Sequence, residues 1–255
     1  MILAIDIGNT NIVAGVFDGK NLLAHWRMET AKERTSDEYG ITLLSFLAHA
    51  GIKKEEIKGA CVGCVVPQLK DTFARMIRDY VKVKPLLVEP GVKTGMPILT
   101  DNPKEVGADR IITSVAAYTA NKCALIVVDF GTAITFDCVN EKGEYTGGAI
   151  APGMQVSTEA LFNKAAKIAK VEITRPASAI GKNTVESLKS GVLYGFAGLV
   201  DGVVEKIKKE FKIKPEKVIA TGGYAHIIAK ESTSITELDE FLVLKGLRII
   251  YEVNS

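Results

Sequence analysis

The sequence predicts an α/β protein of two duplicated lobes, each a mixed β-sheet flanked by helices. Three observations carry that expectation. A phrase near the start, Leu3-Ala4-Ile5-Asp6-Ile7-Gly8-Asn9-Thr10-Asn11, returns past the middle as Ile126-Val127-Val128-Asp129-Phe130-Gly131-Thr132-Ala133. Each copy is an apolar strand ending in Asp-apolar-Gly, then small hydroxyl or amide residues, then a second apolar run. Overlaying Asp6 on Asp129 carries Gly8 onto Gly131 and keeps the following strand in register, the mark of an internal duplication spaced about half the chain apart. After the first copy, strands alternate with helical stretches, which extends a meander by parallel crossovers. The expected lobes are residues 1–118 and 119–255.

Residues 2–7 and 11–17 read as strands, and Asp18-Gly19 is a hairpin signal before a third strand at 21–28. The polar stretch 30–34 reads as a loop. Ser36-Asp37-Glu38 then opens an amphipathic helix with Ile41, Leu43, Leu44 and Leu47 on its expected buried side, stopped by Gly51. A buried strand at 58–66, a helix at 69–80 and a strand at 85–88 continue the sheet in parallel. Residues 90–103 are rich in Gly and Pro and form the expected substrate loop. A helix from Val106 to about Ala120 carries Gly107-Ala108-Asp109-Arg110 in its first turn.

The second half restarts with strands at 124–129, 133–139 and 145–151, with a turn at 140–143. Pro152-Gly153 starts a helix containing Leu161 and several alanines. After the Gly181-Lys182-Asn183 turn, 184–211 reads as one long helix containing Gly191, Gly195, Gly198 and Gly202 on one face. Each internal glycine costs about 1 kcal/mol relative to alanine, so four together call for a close backbone approach by another helix. That helix belongs either to the other lobe or to a second subunit, and a homodimer is the expectation. A strand at 217–220 leads into Thr221-Gly222-Gly223, and a helix from Phe241 to Tyr251 closes the chain. The glycine pair stands where parallel sheets receive ligands, at a strand's carboxyl end, though a helix entry without ligand reads the same way.

Composition narrows the function. The 255 residues, 47% hydrophobic and 24% charged, suit a soluble globular chain with a sizeable core. Lys and Arg total 32 against 30 acidic residues, which leaves no basic field for nucleic acid, so small molecules or other protein chains are the expected partners. No leader pattern precedes the strand at 2–7. The apolar stretch 192–204 is too short to span a bilayer and is interrupted by Asp201, so a cytoplasmic location without membrane partners is expected. Cys61-Val62-Gly63-Cys64 has the spacing of a metal or redox pair, but it lies in an apolar run whose strand geometry sends the two thiols to opposite faces, and core thiols are the expectation. His25, His49 and His226 share no ligand spacing.

The repeated turn is where chemistry is expected. A glycine turn approaches a ligand without a Cβ in the way, and its backbone N–H groups form an anion-binding concavity. Asn9, Thr10 and Thr132 add short donors. Asp6 and Asp129 would repel a phosphate unless a cation intervened, so they point to bound metal. Two such turns facing each other across a cleft suit a nucleoside triphosphate. Either copy alone is equally an ordinary hairpin turn in a sheet.

Taken together, D-I-G-N-T-N at 6–11, V-G-A-D-R at 106–110, D-F-G-T-A at 129–133, G-G-A-I-A-P-G at 147–153, G-K-N-T at 181–184 and T-G-G at 221–223 resemble the type III pantothenate kinases, nearly over the whole chain and in that family's order. The wider likeness is to the acetate and sugar kinase, Hsc70 and actin superfamily, which implies two ribonuclease H-like lobes of the actin-like ATPase type. The resemblance implies ATP-dependent phosphorylation of pantothenate on its primary hydroxyl, the first step towards coenzyme A. It makes Asp109 the general base, Arg110 the partner of the substrate carboxylate, and Gly107 a point of backbone approach. Asp6, through magnesium, would hold the triphosphate with Gly8, Asn9, Thr10 and Asn11, while Gly131, Thr132 and Ala133 close from the second lobe. Asp129 resembles the residue that binds a monovalent cation, potassium or ammonium. Gly222 and Gly223 would border adenine or ribose. Thr184 resembles the threonine that reaches substrate from the neighbouring subunit of a homodimer.

Structural readings of the same residues stand beside these. Asp109 suits a helix dipole from the first turn, Arg110 a surface ion pair, Asp129 a strand-end cap, and Thr184 the N-cap of the long helix. Thr100 departs from the family pattern, where some members carry a tyrosine lining the pantothenate pocket, and residues 90–99 are expected to complete that wall. Two other functions share the scaffold: a regulatory protein resembling Bvg accessory factor, and a phosphotransferase with another acceptor. The intact Asp109, Asp6, Asp129 and Thr184 favour a working kinase.

Overall fold

The structure, a computed structural model, describes residues 1–165 and 171–255. Two compact units divide it. One comprises Met1–Met96, Asp101–Ala116 and Leu242–Ser255, the other Pro97–Thr100 and Ala117–Phe241.

In the first unit, β1 (Ile2–Ile7), β2 (Asn11–Asp18) and β3 (Asn21–Glu29) form the expected antiparallel meander, and α1 (Ser36–His49) follows. Thr35 caps α1 in a capping box: its hydroxyl accepts from Glu38 N, and the Glu38 carboxylate accepts from Thr35 N. Strand β4 (Gly59–Cys64) runs parallel to β1 and leads to α2 (Pro67–Met76), which starts with proline in its first turn. With β5 (Pro85–Leu87), the sheet order is β3-β2-β1-β4-β5. One face presents Leu3, Ile5, Ile7, Ile12, Val16 and Val62 to Tyr39, Leu43 and Leu47 of α1 and to Leu69 and Phe73 of α2. Helix α1 buries Tyr39, Leu43 and Leu47, one stripe at four-residue steps, whereas Ile41, expected inside, is 59% exposed because it falls off that stripe. The face bearing Asp6 combines small residues, Ala4, Gly15, Gly59, Cys61 and Gly63, with Ile2, Val13 and Phe17.

Helix α3 (Ala108–Asn121) starts two residues later than the periodicity predicts, and its last turns belong to the second unit. That unit repeats the plan. Strands β6 (Leu125–Phe130), β7 (Ala133–Val139) and β8 (Tyr145–Pro152) make an antiparallel meander; α4 (Met154–Lys164) and α5 (Thr184–Glu210) follow, then β9 (Lys217–Gly222), α6 (Ala225–Ile228) and β10 (Glu237–Leu238). The order β8-β7-β6-β9-β10 matches that of the first sheet, with β9 parallel to β6. Strand β10, two residues long, left no periodic signal. Alanines 166 and 169, assigned to the helix after Gly153, lie outside the described residues.

Ser190, Leu193, Ala197, Val200 and Val204 of α5 are its buried face, and the apolar ones cover Ile126, Val128, Phe130 and Val218 of the second sheet. Asp201 ties the helix to the segment before β10: it accepts from Ser232 Oγ, Thr233 N and Oγ1, and Ser234 N. Burial raises its pKa, but these bonds outweigh it and hold the carboxyl at about 2. Gly191, Gly195, Gly198 and Gly202 lie on the adjoining face, where a Cβ on any of them would meet no atom within 4 Å among the described residues. Residues 97–100 of the expected substrate loop pair with the edge of β8: Leu99 N donates to Tyr145 O, and Tyr145 N to Pro97 O, both at 2.8 Å.

The chain ends in α7 (Leu242–Val253), which packs on β1 and β4 of the first unit. The small residues of the Asp6 face are what admit it: a Cβ on Gly59 would overlap the Tyr251 ring, and one on Gly15 would stand 2.8 Å from Leu244. Arg248 of α7 is buried with its guanidinium paired to Glu252 and lying over the Phe17 ring, so its charge is a structural one. Among the described residues no helix is long and apolar enough to cross a membrane. The cysteines are free thiols, and burial pushes Cys61 up to about 12, out of the range of a reactive thiolate. The three histidines are exposed.

Candidate active site

In the first unit, Asp6 stands on β1 with Val13 and Gly63 opposite it on the neighbouring strands. The turn after it closes through Gly8 N, which donates to Asn11 O at 3.0 Å. Thr30, at the end of β3, ties the same turn down from the side: its hydroxyl donates to Gly8 O at 2.7 Å and its N–H to Thr10 O at 3.0 Å. The Gly8, Thr10 and Asn11 carbonyls are thus spent on internal bonds while Asn9, Thr10 and Asn11 remain exposed. Such a turn offers N–H and short polar side chains outward, as an anion requires.

Asp109, Arg110 and Gly107 gather at the N-terminal turn of α3 in the same unit. Arg110 N donates to Asp109 Oδ1 at 2.9 Å. Desolvation by burial raises the Asp109 pKa above the usual carboxylate value, against the lowering pull of the Arg110 N–H and guanidinium. A Cβ on Gly107 would stand 2.5 Å from Asp109 Oδ1, so this glycine makes room for the aspartate. Thr113 Oγ1, one turn on, donates to the Asp109 and Arg110 carbonyls and holds that turn in shape.

In the second unit, Asp129 stands on β6 with Thr135 of β7 and Thr221 of β9 opposite it. Gly131 N donates to Ala133 O at 3.1 Å, so this loop is one residue shorter than its counterpart. The overlay therefore slips: Asp6 pairs with Val13, but Asp129 pairs with Thr135 rather than Phe136. Gly153 and Gly223 brace the turn by donating to Thr132 O and Phe130 O, both at 3.1 Å. A Cβ on Gly153 would stand 2.2 Å from Thr132 O. Gly222, at φ +92°, brings its backbone so close that a Cβ would stand 2.5 Å from Asp129 Oδ1. Gly131, Thr132 and Gly223 are exposed. Thr184, also exposed, is the first residue of α5 and not its cap; Asn183 is, accepting from Glu186 N at 2.9 Å.

Sequence reasoning missed Thr30, Gly63, Gly153 and Thr135. Gly153 lay inside a quoted motif, Gly63 inside the cysteine spacing, and Thr30 in a stretch read only as a polar loop.

The two aspartates differ in the donors beside them. Asp6 has no oxygen-bearing side chain opposite it on either neighbouring strand, so these strands would offer a cation one carboxylate, a donor set that fits magnesium. Asp129 has a threonine on either side, a set of hard oxygens suited to a larger ion that exchanges more of its hydration shell for protein oxygen.

Residues 2–206 match the family model described as type III pantothenate kinase. The type III pantothenate kinase of Pelobacter propionicus is 53% identical to this chain over 254 residues, covering 100% of both. Among solved structures, a Baf family protein from Campylobacter jejuni superposes with a TM-score of 0.59 at 19% identity, covering 99% of this chain and 98% of its own. An inorganic polyphosphate/ATP-glucomannokinase from Arthrobacter sp. strain KM gives 0.52 at 15% identity, covering 100% and 99%. At these identities the two structures are similar in fold alone.

Proposed function

The chain belongs to the type III pantothenate kinase family, whose members are ATP-using phosphotransferases, and on that premise we propose that it phosphorylates pantothenate on its primary hydroxyl, the first step towards coenzyme A. The observation that carries the reading is the N-terminal turn of α3. Its aspartate has a raised proton affinity, a glycine that clears space for it, and an arginine as its neighbour. Phosphoryl transfer asks the protein for position, charge neutralisation and a group to take the hydroxyl proton. Asp109 takes that proton as the hydroxyl oxygen bonds to the γ-phosphorus and the bond to the β-phosphate oxygen breaks, releasing ADP. Arg110 binds the pantothenate carboxylate.

Gly8, Asn9, Thr10 and Asn11 of the first turn bind phosphate, Gly131, Thr132 and Ala133 of the second turn do likewise, and Gly222 and Gly223 border adenine or ribose. Asp6 would hold magnesium and Asp129 potassium or ammonium, and each ion would supply positive charge against the phosphates. The protein acts in the cytoplasm on a small-molecule substrate, without nucleic acid or membrane. Purified protein given ATP, magnesium and potassium should form one ADP per pantothenate consumed; ATP hydrolysis indifferent to pantothenate would refute the assignment.

The same reading makes the protein a homodimer through α5. The open glycine face supports it, because two copies of one helix approach closely where both lack side chains. Beside it an apolar cavity of about 360 Å³ opens among Leu161 of α4 and Leu188, Val192 and Phe196 of α5. In the dimer, Thr184 of each protomer serves the substrate bound by the other. Gly195→Arg should therefore halve the mass measured by light scattering and raise the KM for pantothenate; a dimer of unchanged mass would place the interface elsewhere.

A further inference from the structure

Asp137 is completely buried on β7 and plays no part in the roles above. Burying a carboxylate is unfavourable by several kcal/mol unless its oxygens receive hydrogen bonds. Here Tyr145 Oη donates to Oδ1 at 2.8 Å and Thr135 Oγ1 donates to Oδ2 at 2.9 Å. A hydroxyl has one proton and two lone pairs, and a carboxylate can only accept. The Thr135 proton is thereby committed to Asp137, and Thr135 Oγ1 presents lone pairs to its remaining neighbours.

The most consequential of those neighbours is Asp129, directly opposite on β6. Cβ atoms of such pairs are about 4.5–5.5 Å apart, close enough for two side chains to share one ion. Were its proton released, Thr135 would donate to the Asp129 carboxylate and compete with a cation for it. We propose that Asp137 is a positioning residue for a monovalent-cation site at Asp129, and that Thr135 Oγ1 is one of the oxygens of that site. The inference rests on the cation role given above to Asp129. The first sheet lacks this device: Val13, opposite Asp6, has no oxygen to present.

Thermal unfolding of the full chain in KCl, against NaCl of equal ionic strength, tests it without recourse to activity. Wild type should be stabilised by potassium with a saturable midpoint, and Asp129→Asn should abolish the response. Thr135→Val removes the oxygen and should weaken the potassium midpoint by about tenfold or more, the usual cost of losing an outer support or a ligand. Thr135→Ser, which keeps the hydroxyl, should stay near wild type. Asp137→Asn keeps an acceptor for Tyr145 but offers an N–H to Thr135, turning the hydroxyl proton towards Asp129, and should behave like Thr135→Val. In turnover assays both variants should show the loss in the potassium half-saturation more than in kcat. A wild type indifferent to potassium overturns the cation role and this inference together. A responsive wild type with an equally responsive Thr135→Val overturns this inference alone.

Discussion

Asp109→Asn should lower kcat by about 10²–10⁴-fold, the usual worth of a general base, while the folded protein stays at least as stable as wild type. The two halves of that expectation have one cause. Burial raises the Asp109 pKa, so the folded chain binds this proton more tightly than the unfolded one and its ionised form costs stability. That cost is full above the folded-state pKa and vanishes below the unfolded one, so an uncharged amide at neutral pH relieves it. Asparagine still accepts from Arg110 N and fits the space left by Gly107, which keeps the turn intact. Rate assays and thermal unfolding of the same preparation check both halves; a variant that unfolds early would assign Asp109 to the fold rather than to the reaction.

Gly222→Ala should be strongly damaging. The position has φ +92°, which an L side chain adopts only with strain of about 1–3 kcal/mol. The added methyl would also stand 2.7 Å from the Phe130 backbone and 2.5 Å from Asp129 Oδ1, and relieving such overpacking costs about 1–3 kcal/mol more. The backbone can yield only by parting β9 from β6, whose pairing ends at Phe130 and Gly222. A urea unfolding midpoint lowered accordingly, together with a raised KM for ATP, is the expected result. A variant with wild-type stability and KM would mean that the turn tolerates displacement and that Asp129 needs no fixed position.

The duplicated architecture was legible because period-two strands, Asp-Gly turn chemistry and a repeated Asp-apolar-Gly phrase all specify local structure. Two sheets with one strand order follow from that repetition. The letters do not encode loop length, however, and the second hairpin is one residue tighter than the overlay predicts. The work of Gly107 and Gly222 was not visible either, since both make room for aspartates whose approach exists only in three dimensions. Thr30 reaches the first turn from a strand not adjacent to it in sequence, and α7 leaves the second unit for the first because the small residues of the Asp6 face lie far away in the chain. Ile41 shows the limit of reading hydrophobicity without phase: it lies off the stripe set by Tyr39, Leu43 and Leu47.

The base assignment is tested most directly by the pH profile of kcat at saturating pantothenate. The acid limb of that profile reports the essential base in the substrate complex, free of the ionisation of unbound substrate. Wild type should lose activity on acidification with a midpoint above the ordinary carboxylate value of 3.8, and the residual activity of Asp109→Asn should lack that limb. An identical acid limb in the variant would contradict the assignment of the hydroxyl proton to Asp109.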